Sequence, residues 1–226
     1  MTYVISDIHG NFKKFKEMLE LIRFGEKDVM YVLGDIVDFG EEPIELLCDL
    51  SMRYNVLPVL GERDYKAQSL LSVLDRVFAG ESADRETMAE VAEWISDGGK
   101  NTIEGFKALD ADMREGVLDY LSDMALYEEI TVNGEKYILL HAGIADFDPN
   151  ASLDDYMPED FISEALDPNV TYFDGATVIV GHTPTSELGG EGKIYYGESS
   201  IFIDCGVRDG GKLGCLRLED GEEFYV

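Results

Sequence analysis

Within its first 80 residues the chain repeats one unit three times: a short apolar run, a loop rich in acidic residues, then apolar residues at helical spacing. The runs at 2–6 (TYVIS), 28–33 (DVMYVL) and 56–60 (VLPVL) have the length and composition of buried strands. Behind the first, Phe12, Phe15, Leu19 and Ile22 share one helical face, and Gly25 is placed to stop it. Behind the second, Pro43 opens a helix carrying Ile44, Leu47 and Cys48; behind the third, Leu70, Leu71, Leu74 and Phe78 mark another. Strands joined through helices return across a sheet in parallel, so three rounds predict an α/β fold with a largely parallel sheet.

The rest of the chain reads differently. Residues 81–125 are helical in pattern and acidic, with Val91, Trp94 and Ile95 on one face and Phe106, Met113, Val117 and Leu121 on another. This predicts a helical insertion over the sheet. ALYEEITVNGEKYILLHAG then reads as two strands around Asn133-Gly134, both of which tolerate positive φ in a tight hairpin. Further strands fall at ATVIVG, KIYYG, IFIDCG, LGCLRLED and EEFYV, with Asp220-Gly221 as a last hairpin, so antiparallel pairing is expected in the second half. Residues 142–175 show little regular pattern, and all 226 residues read as one domain.

Charge narrows the function classes. A formal net charge of −29 repels nucleic-acid phosphates, whose non-specific affinity comes from Lys and Arg displacing counterions, so no nucleic-acid partner is expected. No apolar run approaches the ~20 residues of a membrane span, so no membrane partner is expected, and MTYVISDIHG lacks a basic, cleavable leader, so export is not expected. Cys48, Cys205 and Cys215 have no CxxC spacing and read as reduced structural thiols, consistent with a cytoplasmic location.

The chemistry-bearing residues follow the strands. Asp7 and His9 lie in SDIHG, Asp35 and Asp38 in GDIVDFG, and Glu62, Arg63 and Asp64 in a loop GERD. Ligands of open α/β sheets bind at the carboxyl ends of strands, so these loops are placed to converge. All three histidines of the chain stand within two residues of a glycine at strand ends: His9, His141 in LLHAG and His182 in VGHTPT. Imidazole and carboxylate together suit manganese, iron or zinc, and two such ions can share one carboxylate and a hydroxide that attacks phosphorus.

The ordered set DxH, GDxxDxG, a Gly-led segment after the third strand, LLHAG and GHT resembles the calcineurin-like metallophosphoesterase superfamily, and within it the bacterial and phage phosphoprotein-phosphatase branch. The resemblance runs through to FIDCG near the end of the chain. It implies a four-layer α/β/β/α sandwich of two mixed sheets, with two divalent metal ions, manganese first among them. By that resemblance Asp7, His9 and Asp35 hold one metal, and Asp35, Glu62, His141 and His182 the other. It implies a phosphorylated protein or a small phosphate ester as substrate, hydrolysed by a metal-bridging hydroxide. A diadenosine-tetraphosphatase-like nucleotide hydrolase and a metal-binding pseudophosphatase are the alternatives.

The third motif departs from the family's Gly-Asn-His-Glu/Asp. Glu62 stands for the Asn that ligates the second metal, and Arg63 for the His that, with Asp38, assists protonation of the leaving group. An added carboxylate strengthens cation binding but makes the metals weaker Lewis acids; an arginine, protonated below pH ~12, is a poor general acid. Phe39 stands where the family expects an arginine, and 141–182 contains no Lys or Arg. Arg63, paired with Asp38, is therefore the expected phosphate contact, and Asp64 the acid that orients its segment. An enzyme lacking a proton donor is expected to prefer aryl phosphates or phosphoanhydrides over phosphoserine.

Overall fold

The computed structural model describes residues 1–226. Its elements run β1 (Thr2–Ile5), α1 (Phe12–Leu21), β2 (Val29–Leu33), α2 (Pro43–Ser51), β3 (Val56–Val59) and α3 (Glu62–Phe78). The insertion supplies α4 (Arg85–Trp94), α5 (Lys100–Ala108) and α6 (Ala111–Ser122). The second half supplies β4 (Tyr127–Val132), β5 (Glu135–Leu140), β6 (Thr177–Val180), β7 (Tyr195–Tyr196), β8 (Ser200–Phe202), β9 (Gly214–Arg217) and β10 (Glu223–Tyr225).

Two mixed five-stranded sheets result, in the orders β10-β9-β1-β2-β3 and β4-β5-β6-β8-β7. The first three strands pair in parallel, as the repeated strand–helix unit requires. Pro58, which cannot donate to a ladder, sits on the edge strand β3, the position a sheet tolerates. Alternation along each strand divides the side chains between layers. Tyr3 and Ile5 face the helices, while Val4 meets Leu139 and Ile179 of the other sheet. Ile138, Leu140, Val178 and Val180 point to the far side. There, residues from the irregular 142–175 segment, among them Leu153, Phe161 and Leu166, form the fourth layer, with only single helical turns at Leu153–Asp155 and Pro158–Phe161.

Several expectations change. The strands β5, β6 and β8 pair in parallel, and antiparallel pairing is confined to β4–β5, β7–β8 and the β9–β10 and β1–β9 pairs. Returning from β5 to β6 through 36 residues of crossover makes parallel pairing possible without a long helix. GERD is no loop: Gly61 caps α3 and Glu62, Arg63 and Asp64 form its first turn. The insertion packs on α2 and α3 rather than on the sheet itself. Its Val91, Trp94, Phe106, Val117 and Leu121 are buried as expected, whereas Ile95 and Met113 are exposed. Both hairpins form where expected, with Asn133 (φ 51°) and Gly134 (φ 89°) in the left-handed region.

Candidate active site

Parallel pairing in both sheets points the ends of β1, β2, β3, β5, β6 and β8 to one edge, and there the sequence motifs meet. A cleft of about 380 Å³ is lined by Asp7, His9, Asp35, Glu62, Arg63 and His182, together with Glu187, Asp204, Arg208 and Asp209. Asp7 (φ 50°), His9 (φ 49°), Asp35 (φ 50°), Asp38 (φ 71°) and His182 (φ 60°) all hold left-handed backbone, which non-glycine residues adopt only at a cost of about 1–3 kcal/mol each. Strain is concentrated at the ligands. Two glycines let the segments close: a Cβ on Gly181 would lie 2.1 Å from Oδ2 of Asp7, and one on Gly61 2.2 Å from the Asp35 nitrogen. The His182 N–H donates to both oxygens of Asp7 (3.2 and 3.0 Å), joining the two sheets at the cleft floor.

Asp35 is the centre. Its Oδ1 lies 3.5 Å from Nε2 of His141, and its Oδ2 lies 3.8 Å from Nε2 of His9. Nδ1 of His141 is 2.9 Å from the Leu33 carbonyl and Nδ1 of His9 is 3.3 Å from that of Val37. Those carbonyls accept only from a protonated Nδ1, so each Nε2 turns a lone pair toward a carboxylate oxygen. The His141 Nε2 is fully buried and has no hydrogen-bond partner. Ligand atoms of Asp7, Asp35 and His141 lie within 4.8 Å of one another. Lone pairs converging among buried side chains are the donor set a divalent cation satisfies.

Titration of the cluster reflects the same conflict. Burial lowers His9 to about 3 and His141 to about 4, and burial with the neighbouring His141 lowers His182. All three imidazoles are therefore neutral, the ligating form. Burial raises Asp35 to about 7 and, with the charges of Asp204 and Asp35, raises Asp7 well above the carboxylate range. Asp64 is raised to about 8 by burial and the Asp35 charge, although it accepts from the N–H groups of Ile36, Val37 and Gly61, which favour its anion. A cation that neutralises Asp35 leaves those donors to decide for the carboxylate.

The remaining expected residues take different places. Asp64, wholly buried, ties the loop after β2 to the first turn of α3. Glu62 is exposed at the cleft rim, beside but not within the close group of Asp7, Asp35 and His141. Arg63 pairs with Asp38 through Nε (2.7 Å) as expected, but its two terminal nitrogens donate to the carboxylate and the carbonyl of Asp97 (both 2.6 Å). Asp38 also accepts from the Trp94 indole N–H (2.7 Å) and the Thr102 hydroxyl (2.6 Å). The insertion thus braces the loop after β2. Its turn at Asp97-Gly98 abuts Phe39, with Gly98 at φ 99° and a hypothetical Cβ there 2.4 Å from the ring.

Four cleft side chains went unread in the sequence: Glu187, Asp204, Arg208 and Asp209. Asp204 follows β8 as Asp7 follows β1, and the same strand-end position marked it; its neighbour Cys205 is buried, with its thiol pushed up to about 12 by burial, an inert group. Arg208 lies in the turn Val207–Asp209 and had no pattern to reveal it.

The chain is similar to known proteins in sequence and in fold. The chain is 29% identical over 144 residues to the symmetrical bis(5'-nucleosyl)-tetraphosphatase of Nitrosospira multiformis, a match covering 63% of the chain and 43% of that relative. The chain thus spans less than half the length of that relative. The fold matches a serine/threonine phosphatase of Saccharomyces cerevisiae (TM-score 0.62, 14% identity, 97% of this chain and 72% of that one). It also matches a metallophosphoesterase from Sphaerobacter thermophilus (TM-score 0.59, 18% identity, 100% and 87%). The family model for calcineurin-like phosphoesterases aligns with residues 2–211, every element but β9 and β10 and every residue of the cleft, and the chain belongs to that family.

Proposed function

We propose that this protein is a two-metal phosphoesterase that hydrolyses phosphate monoesters, carried by a phosphorylated protein or a small ester, in a reducing cytoplasm. The observation that carries the reading is Asp35, whose two oxygens each face the free Nε2 of a buried imidazole. That arrangement suits one carboxylate shared by two cations: Asp7, His9 and Asp35 for one, and Asp35, Glu62, His141 and His182 for the other. Manganese fits this mixture of nitrogen and oxygen donors, with iron or zinc as alternatives. Such ions, when bound, supply positive charge to the phosphoryl oxygens and lower the pKa of water to make a nucleophile. The chain's own groups fix the geometry. Backbone carbonyls of Leu33 and Val37 hold the imidazole tautomers, and Arg63 and Asp64 hold the loop after β2 against α3.

Similarity to symmetrical tetraphosphatases favours a second reading, hydrolysis of dinucleoside polyphosphates. The cleft speaks for the monoester: Asp7, Asp35, Glu62, Glu187, Asp204 and Asp209 surround it, a poor setting for a chain of four phosphates. Metal-free protein reloaded with manganese decides between them. Turnover of p-nitrophenyl phosphate above that of diadenosine tetraphosphate is the expected result; the reverse order replaces the first reading with the second, and turnover of neither leaves a metal-binding protein without catalysis.

A further inference from the structure

Any phosphoryl group entering this cleft passes six carboxylates and needs a cation besides the metals. Arg63 cannot readily serve: it is 7% exposed, and its nitrogens are taken up by Asp38 and Asp97. Lys66, the nearest lysine along α3, lines a separate groove with Glu62, Glu90 and Glu93. One basic side chain remains. Arg208 is exposed, lines the cleft beside Asp7, His9 and Asp35, and forms neither an ion pair nor a side-chain hydrogen bond.

Its placement is built. The guanidinium carbon lies over the Phe39 ring, 3.8 Å from its centre, and the same ring meets His9 nearly at right angles, at 5.1 Å between centroids. Phe39 itself is held from behind by the turn at Gly98, whose carbonyl accepts the Phe39 N–H at 3.0 Å. On the other side, Gly206 and Gly210, both left-handed, bound the turn that carries Arg208, and the Gly206 N–H donates to Asp204 (2.8 Å). A stacked guanidinium keeps its in-plane N–H fork free, the geometry that matches two phosphate oxygens.

We infer that Arg208, stacked on Phe39, is the substrate-binding residue that holds the phosphoryl oxygens in this cleft. The inference rests on the phosphoesterase reading and deepens it: a guanidinium from the turn after β8, seated over Phe39, brings the cleft a cation paired with no carboxylate. Arg63 is then a positioning residue, and recognition of the substrate comes from the C-terminal half of the chain.

The test compares native protein, Arg208→Ala and Arg208→Lys, each reloaded with manganese, by p-nitrophenyl phosphate kinetics, orthophosphate titration and manganese titration. Arg208 is exposed and unpaired, so neither variant threatens the fold. Expected are a drop in kcat/KM and in orthophosphate affinity of about ten- to a hundredfold for Ala, an intermediate value for Lys, and manganese affinity within about twofold of native. Retention of both kcat/KM and phosphate affinity by Arg208→Ala overturns the inference, as does a loss of manganese affinity parallel to the loss of phosphate affinity. Should the native protein turn over no ester, the phosphoesterase reading fails separately, and orthophosphate decides: binding to native protein that weakens about tenfold in Arg208→Ala sustains the anion contact. Equal binding, or none, overturns it.

Discussion

Nε2 of His141 sits 3.5 Å from Oδ1 of Asp35 in a fully buried position, and both atoms present lone pairs. Two acceptors facing each other destabilise the metal-free fold and bind a cation when one is supplied. Asp35→Asn relieves the first and removes the second. We expect this variant to melt at a higher temperature than native protein in the presence of a chelator, and to lose about a hundredfold or more in manganese affinity. Metal content after dialysis and melting curves with and without manganese measure both; two equivalents of tightly held manganese in the variant would remove Asp35 from the centre of the site.

The same cluster sets a pH dependence. Asp35 is raised to about 7 in the folded protein, above the ~3.9 of an unfolded Asp, so folding takes up a proton between those values and stability falls as pH rises through 7. Asp64, raised to about 8, acts in the same direction. His9 and His141, lowered to about 3 and 4, act oppositely, but chiefly below the unfolded value of ~6.5, where the unfolded chain gains protons that the folded one refuses. That opposition, shared by His182, is halved at pH ~6.5 and gone about a unit higher, so toward pH 8 the carboxylates decide the slope. The metal-free protein should lose several degrees of melting temperature across that window, and manganese should abolish the loss while its affinity rises with pH. A flat metal-free profile there contradicts the burial of Asp35 without a cation.

How much of this was legible beforehand depends on where each constraint lies. The three opening strand–helix rounds are written in local periodicity, because burial on one helical face and both strand faces leaves a pattern within a few residues. His9, His141 and His182 stood out because each lies at a strand end within two residues of a glycine; at Gly181, against Asp7, that glycine permits a close backbone approach. The parallel pairing of β5, β6 and β8 left no such trace, since residues 142–175 cross back without helical period. The helical start at Gly61 was hidden because glycine caps without a side chain, the task falling to Asp64 three residues on. Arg208 and Asp97 owe their roles to partners far along the chain, Phe39 and Arg63, and no spacing rule connects them.

The insertion should behave as a brace. Trp94 Nε1 donates to the wholly buried Asp38, and removing that donor leaves a buried carboxylate oxygen with one partner fewer. Trp94→Phe should cost about 2 kcal/mol and lower the melting temperature by about 4–8 °C, beyond what loss of ring area explains. Asp97→Ala, whose carboxylate is half exposed, should cost less. A mobile cover predicts instead that Trp94→Phe leaves stability unchanged.

The altered third motif makes the last prediction. Arg63, bound to Asp38 and Asp97, stays protonated at neutral pH and is a poor general acid, so without a histidine at that position the leaving oxygen departs with its charge. A phenol, with pKa near ~10, tolerates this far better than a serine hydroxyl. The native protein should therefore favour aryl phosphates over phosphoserine peptides, and Glu62→Asn/Arg63→His should narrow the ratio by raising phosphoserine turnover more than p-nitrophenyl phosphate turnover. General acid assistance of this kind is worth about a hundredfold or more where the leaving group is poor and little where it is good. The substitution also takes Arg63 from Asp97, whose side chain is 49% exposed, so that part of the loss is small, about 1 kcal/mol at most. Asp38 keeps Trp94 and Thr102. Equal acceleration of both substrates traces the effect to the metals, through exchange of the Glu62 carboxylate for a neutral amide; selective acceleration of phosphoserine traces it to the proton.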